Sequence, residues 1–75
     1  MEEKSIERDE LRKNVGLLIQ QSREQRGWTR YELSRRSGIG EAHVMRIEQG
    51  LYSIRIDVLN KLCKALELHI EFPRE

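Results

Sequence analysis

The sequence predicts a mainly all-α domain of four or five short helices, closed by one short C-terminal strand. Three observations carry that expectation. Apolar residues recur at spacings of three and four through most of the chain, as on one face of a helix. Gly27, Gly38 and Gly50 each follow a helix-like run, where a left-handed residue ends a helix. From Leu68 the pattern switches to alternation, Leu68-His69-Ile70-Glu71-Phe72, and Pro73 stops it.

The first helix is expected to start near Ile6 or Glu10 and to run to Arg26, with Leu11, Val15, Leu18 or Ile19, and Ser22 facing inward. Residues 1–8 ahead of it read as a flexible charged segment, residues 9–67 as the helical domain, and residues 68–75 as strand and tail. Thr29 opens the second helix, and Glu32 three residues later completes a capping box. In that arrangement each of the two side chains satisfies one orphan backbone donor. Trp28, just outside, can staple onto Leu33, and the helix ends at Ser37-Gly38. The third helix starts after Gly40, carries Val44 and Ile47 inward and ends at Gln49-Gly50. A loop from Leu51 to Arg55 leads to a fourth helix, from about Ile56 to Glu67, with its stripe on Leu59, Leu62, Cys63 and Leu66.

A single strand leaves its backbone groups unpaired, and nothing else in the chain alternates well enough to join it. Pairing with its own copy across a two-fold axis answers this and covers Leu68, Ile70 and Phe72. A tail packed onto the helices is the other arrangement open to it.

Composition bounds the rest. Seventy-five residues make one domain, which buries roughly 60% of its unfolded surface. Charged residues are 36% of the chain and the mean hydropathy is -0.72, so a polar surface surrounds a thin core. The formal net charge of +1 and pI of about 7.9 are a weak footprint for a nucleic-acid binder. Position, not composition, must carry any such reading. The lone Cys63 cannot form an internal disulfide. The opening Met1-Glu2-Glu3-Lys4 has no signal-peptide pattern, and the longest apolar stretch, Val15 to Ile19, is too short to cross a bilayer. A cytoplasmic protein without membrane contact is expected.

Helices two and three, joined through Ser37-Gly38-Ile39-Gly40, have the short glycine-containing turn that a helix-turn-helix needs. Leu33 on one side, with Ile39, Val44 and Ile47 on the other, should hold the angle, and the small Ser34 suits a close approach. Here the chain resembles the lambda-repressor-like helix-turn-helix family, also called the XRE class. The resemblance runs through Thr29-Arg30-Tyr31-Glu32-Leu33-Ser34, Ser37-Gly38-Ile39-Gly40 and Val44-Met45-Arg46-Ile47-Glu48-Gln49-Gly50. It extends back to Arg23 through Gly27 and forward through Leu59 to Leu66.

What the resemblance implies is a double-stranded DNA-binding regulator, a repressor acting as a homodimer. Arg23 and Glu48 match a structural salt bridge between helix one and the end of helix three. Arg30 stands where the family commonly has a glutamine that holds a DNA phosphate. Glu41, Ala42, Met45 and Arg46 match the positions that face the major groove. Arginine at 46 can read guanine O6 and N7, Glu41 can accept from a cytosine amino group, and Ala42 can touch a thymine methyl. Arg35, His43, Tyr52, Ser53 and Arg55 are further candidates for phosphate contact, with a solvated helix face the competing reading for Arg35. Two departures stand out: Gly40 replaces the usual serine or threonine cap, and Ile54-Arg55 replace the proline and capping residue ahead of helix four.

The remaining chemistry-bearing residues read plainly. His43 and His69 lie on different elements with no neighbouring cysteine, so no metal site or cofactor is expected. Cys63 reads as a buried small hydrophobe. No nucleophile–base pair, paired carboxylates or phosphate loop is present in the sequence, and an enzyme is not expected. A second functional reading stays open. The ending Ala65-Leu66-Glu67-Leu68-His69-Ile70-Glu71-Phe72 looks like antitoxins of this class, which pair through a C-terminal strand and bind a toxin.

Overall fold

The computed structural model describes residues 2–51 and 54–69, with side chains from residue 9 onward. The fold is all-α. Its helices are α1 (Glu2–Gln25), α2 (Arg30–Ser37), α3 (Glu41–Glu48) and α4 (Ile56–Leu66). Helices α1 and α2 each pack against both α3 and α4. No strand occurs among the described residues.

The core is built from at least one residue of every helix. Ile19, Leu33, Val44, Ile47, Leu62 and Leu66 are fully buried, with Ile39 and Cys63 nearly so. Each such aliphatic side chain contributes about 1.5–3 kcal/mol relative to exposure. Val15, Trp28, Val58, Leu59 and Leu68 pack against this cluster from its edge. The stripe on α4 therefore lies where its period places it, with Leu59 at the half-buried margin.

Helix α1 departs from expectation twice. Its backbone is helical from Glu2, upstream of the start that apolar spacing indicated. Spacing reports burial, whereas Glu, Lys and Arg are good helix formers that need none. Its inward face is also rotated. Ile19 is the buried residue, while Leu18 is 49% and Leu11 61% exposed. The stripe that meets the rest of the protein runs through Gly16, Ile19, Ser22 and Arg23, all buried. Small and polar residues hold the positions where α1 comes closest to α3, and the leucines flank the contact.

The capping box forms by half. Thr29 Oγ1 accepts from the Glu32 backbone N–H at 3.1 Å. The Glu32 carboxylate does not turn back to the helix start; it is bound by Arg35 at 2.7 Å and Arg36 at 2.6 Å. A bond from a guanidinium to a carboxylate is ionised on both sides and one from a backbone N–H on only one, and here two arginines one turn on take the carboxylate. Arg36 also lies over the Trp28 ring, 4.3 Å from its centroid. That contact ties the last turn of α2 back to the half-buried indole ahead of the helix.

Helix α4 ends on Glu67, which adopts the left-handed conformation at φ 58. The Leu68 N–H closes the helix on the Cys63 carbonyl at 2.8 Å. Left-handed backbone costs an L-residue roughly 1–2 kcal/mol, and glycine's extra freedom in the unfolded chain returns part of that. Glu67→Gly is expected to raise stability by about 0.5–1 kcal/mol, seen as a higher urea midpoint with an unchanged slope. A lower midpoint would mean that the exposed Glu67 carboxylate, 3.9 Å from Arg26, contributes more than its geometry allows.

Candidate nucleic-acid interface

Helix α2, the turn after it and α3 pack together and present the outer surface. The turn depends on Gly38, whose φ of 79 lets its N–H cap α2 on the Ser34 carbonyl. The next N–H, of Ile39, donates to Ser37 Oγ at 3.1 Å. Ile39 itself is buried and pins the turn to the core. Gly40 starts α3 with extended backbone and no side-chain cap.

Eight residues of α3 divide into two faces. Val44 and Ile47 are fully buried and Glu48 nearly so. On the opposite side Glu41, Ala42 and Arg46 are exposed and Met45 is half-buried. Positions 41, 42, 45 and 46 follow the spacing of one helical face. The two buried aliphatics behind them clamp that face in place. Glu41 in the first turn also sits favourably at the positive end of the helix dipole.

Behind this face lies a buried ionic junction. The Glu48 carboxylate accepts from Arg23 Nε at 2.7 Å and from Arg23 Nη2 at 3.0 Å. It also accepts from Arg30 Nε at 2.9 Å. Arg23 Nη1 donates to the Trp28 carbonyl at 2.8 Å. One carboxylate thus ties α1, the entry of α2 and the end of α3 together. The hydrogen bond from Arg23 to Glu48 pushes the guanidinium above its ordinary pKa, against the opposing effect of burial.

The same junction requires a glycine. A Cβ on Gly16 would stand 2.4 Å from the Ile47 carbonyl oxygen and 2.7 Å from that of Glu48. Gly16 and the reach of Arg30 to Glu48 are the functional features that the sequence reading passed over. The signal for the first was weak: an isolated glycine inside a helical pattern costs about 1 kcal/mol against alanine, which points to a packing reason without saying what packs there.

The other basic candidates are distributed over the surface. Arg35 and Arg36 share Glu32, whose carboxyl is held below the usual range by the hydrogen bonds from Arg35 and then Arg36. That pairing is therefore complete at neutral pH and weakens only as pH falls through the lowered carboxyl pKa. Arg55 precedes α4 with its side chain 81% exposed, 3.7 Å from Asp57, and His43 is half-buried on α3. Tyr52, Ser53, Ile70 and Phe72 lie outside the described residues. Leu68 is half-buried against its own core, and its N–H is already engaged at the end of α4. Cys63 is buried, and desolvation pushes its thiol pKa up, away from reactivity. Among the described residues no three His, Cys, Asp or Glu side chains gather to hold a metal ion. No described helix is long and apolar enough to cross a membrane.

A short helix pinned by its inner face, with a rigid turn and a second helix across it, defines the class of helix-turn-helix DNA-binding domains. A model of the Cro/C1-type HTH DNA-binding domain matches residues 18–71, and the chain belongs to that family. No curated protein and no solved structure matches it.

Proposed function

We propose that the protein is a transcriptional repressor that binds double-stranded DNA as a homodimer, each subunit placing α3 in a major groove. The observation that supports this best is the outward face of α3: Glu41, Ala42, Met45 and Arg46 stand opposite fully buried Val44 and Ile47. Arg46 reads a guanine, while Glu41 and Ala42 suit a cytosine amino group and a thymine methyl. Arg30, Arg35, His43 and Arg55, with Tyr52 and Ser53, position the domain on phosphates. The strand that pairs the subunits runs through Ile70 and Phe72, with Leu68 kept on its own core at the end of α4, setting half-sites about 34 Å apart.

Affinity for random duplex should fall steeply as salt rises, because several phosphate contacts release counterions. Failure to bind duplex at low salt would sink the proposal. Specificity is tested by selecting bound sequences from a random library. With the selected operator in hand, Arg46→Ala should lose about 1–3 kcal/mol of discrimination at one base pair and little elsewhere. If Arg46→Ala ranks all operator variants as the parent does, Arg46 does not read a base.

A second reading, an antitoxin that masks a toxin and represses its own operon, is favoured by the exposed Leu11 and Leu18 on α1. A toxin encoded beside this gene that co-purifies stoichiometrically with the chain would select it. A protein that binds its operator alone, with no such neighbour, would select the plain repressor.

A further inference from the structure

We infer that Glu48 is a positioning residue for DNA, holding Arg30 by its Nε so that the far end of the guanidinium grips a phosphate. The inference rests on the DNA-binding reading above and adds the group that orients one of its contacts.

Two arginines meet the same buried carboxylate in different ways. Arg23 is nearly buried and engaged at all three guanidinium nitrogens, two on Glu48 and one on the Trp28 carbonyl. Arg30 is engaged at Nε alone among the described residues, and its side chain is 34% exposed. A guanidinium is a rigid planar fork with donors on more than one edge. Anchoring Nε on an immobile carboxylate therefore fixes the plane in which the two terminal amino groups lie. A side chain ordered before binding loses less entropy on reaching its ligand.

Charge points the same way. Two guanidiniums face one buried carboxylate, and the other carboxylate near them, the exposed Glu24, lies 3.9 Å from Arg23. Arg30 is the first residue of α2, where the helix dipole adds further positive potential. Arg35 makes an instructive contrast. Its partner Glu32 lies on the same exposed surface, and a surface pair of that kind is weak and readily exchanged. Glu48 has no exposed side-chain surface and cannot turn away to water. Because Arg23 alone satisfies both of its oxygens, Arg30 can be replaced without orphaning the buried charge.

The test compares Arg30→Gln and Arg30→Lys with the parent on a random-sequence duplex over a range of salt, well below the melting temperature. Arg30→Gln should lower the slope of log affinity against log salt by about 0.9, one phosphate contact. Arg30→Lys should keep the slope but bind about tenfold more weakly, since an ammonium is a point charge that cannot bridge carboxylate and phosphate as a fork does. In NMR spectra the Arg30 Nε–H should stay protected from exchange both free and on DNA. Glutamine with an unchanged slope, lysine with parental affinity, or loss of Nε–H protection in the complex would each overturn the inference. A parent that binds no duplex at any salt instead overturns the DNA reading itself, so the two failures are distinguishable.

Discussion

Gly16→Ala is expected to destabilise the domain by about 2 kcal/mol, although helix propensity alone predicts a gain. In an exposed helix interior, alanine is more favourable than glycine by about 0.8–1.0 kcal/mol. At position 16 the new methyl carbon would lie 2.4 Å from one backbone oxygen and 2.7 Å from another. Backbone at the end of α3 cannot swing aside as a flexible side chain can, so α1 has to back away. Overpacking of this sort typically costs 1–3 kcal/mol and sometimes more. It also draws Arg23 off Glu48, since Glu48 is itself part of the contact and Arg23 lies two turns along α1 from Gly16. For a domain of this size 2 kcal/mol lowers the melting temperature by roughly 10 °C. Asn14→Ala, on the exposed side of the same helix, serves as the control and should be neutral or mildly stabilising. If Gly16→Ala melts at or above the parental temperature, α1 and α3 do not approach as closely as described.

Glu48→Ala should be the most damaging single change, at about 3–5 kcal/mol. Removing one partner of a buried pair leaves the other charged and poorly solvated, and this orphaned charge, more than the lost attraction, sets the cost. Small domains have only about 5 kcal/mol to lose, so the variant should be largely unfolded at 37 °C. The mechanism has a distinctive signature. Replacing both members, as Arg23→Met with Glu48→Leu, removes the charge along with its partner and should recover most of the stability lost by Glu48→Ala. Thermal melts of the single and double variants decide it. A double variant no more stable than Glu48→Ala would show that the junction acts through its shape and hydrogen bonds to the Trp28 carbonyl, not through charge.

The two predictions concern one place. Gly16 lets α1 reach α3, and that reach brings Arg23 onto Glu48; Arg30 then joins from the start of α2. The outer face of α3 is held from behind by this junction and by Val44 and Ile47. Its side chains therefore project from a surface whose position does not depend on the loops on either side.

Much of this was legible in the residues themselves. Thr29 as the cap of α2, Gly38 as its end, Gly40 ahead of α3 and the inward pair Val44 and Ile47 are all local features. Each is decided by backbone chemistry or by a period within a few residues, which the chain carries wherever it lies in space. The outward placement of Glu41, Ala42 and Arg46 follows from the same period. Tertiary structure decided what local pattern leaves open. Apolar spacing defines an inward stripe only to within about 100° of a helix, so it could not choose Ile19 over Leu18 or show that Leu11 lies outside. It is also silent on how near two backbones come, which is why Gly16 looked like an ordinary residue in a helix. The sharing of Glu48 by Arg23 and Arg30, across 25 and 18 residues of chain, exists only once three helices converge. The turning of Glu32 from the helix start toward Arg35 and Arg36 is local by contrast, an i,i+3 and i,i+4 pairing within α2 that the spacing of the residues already offered.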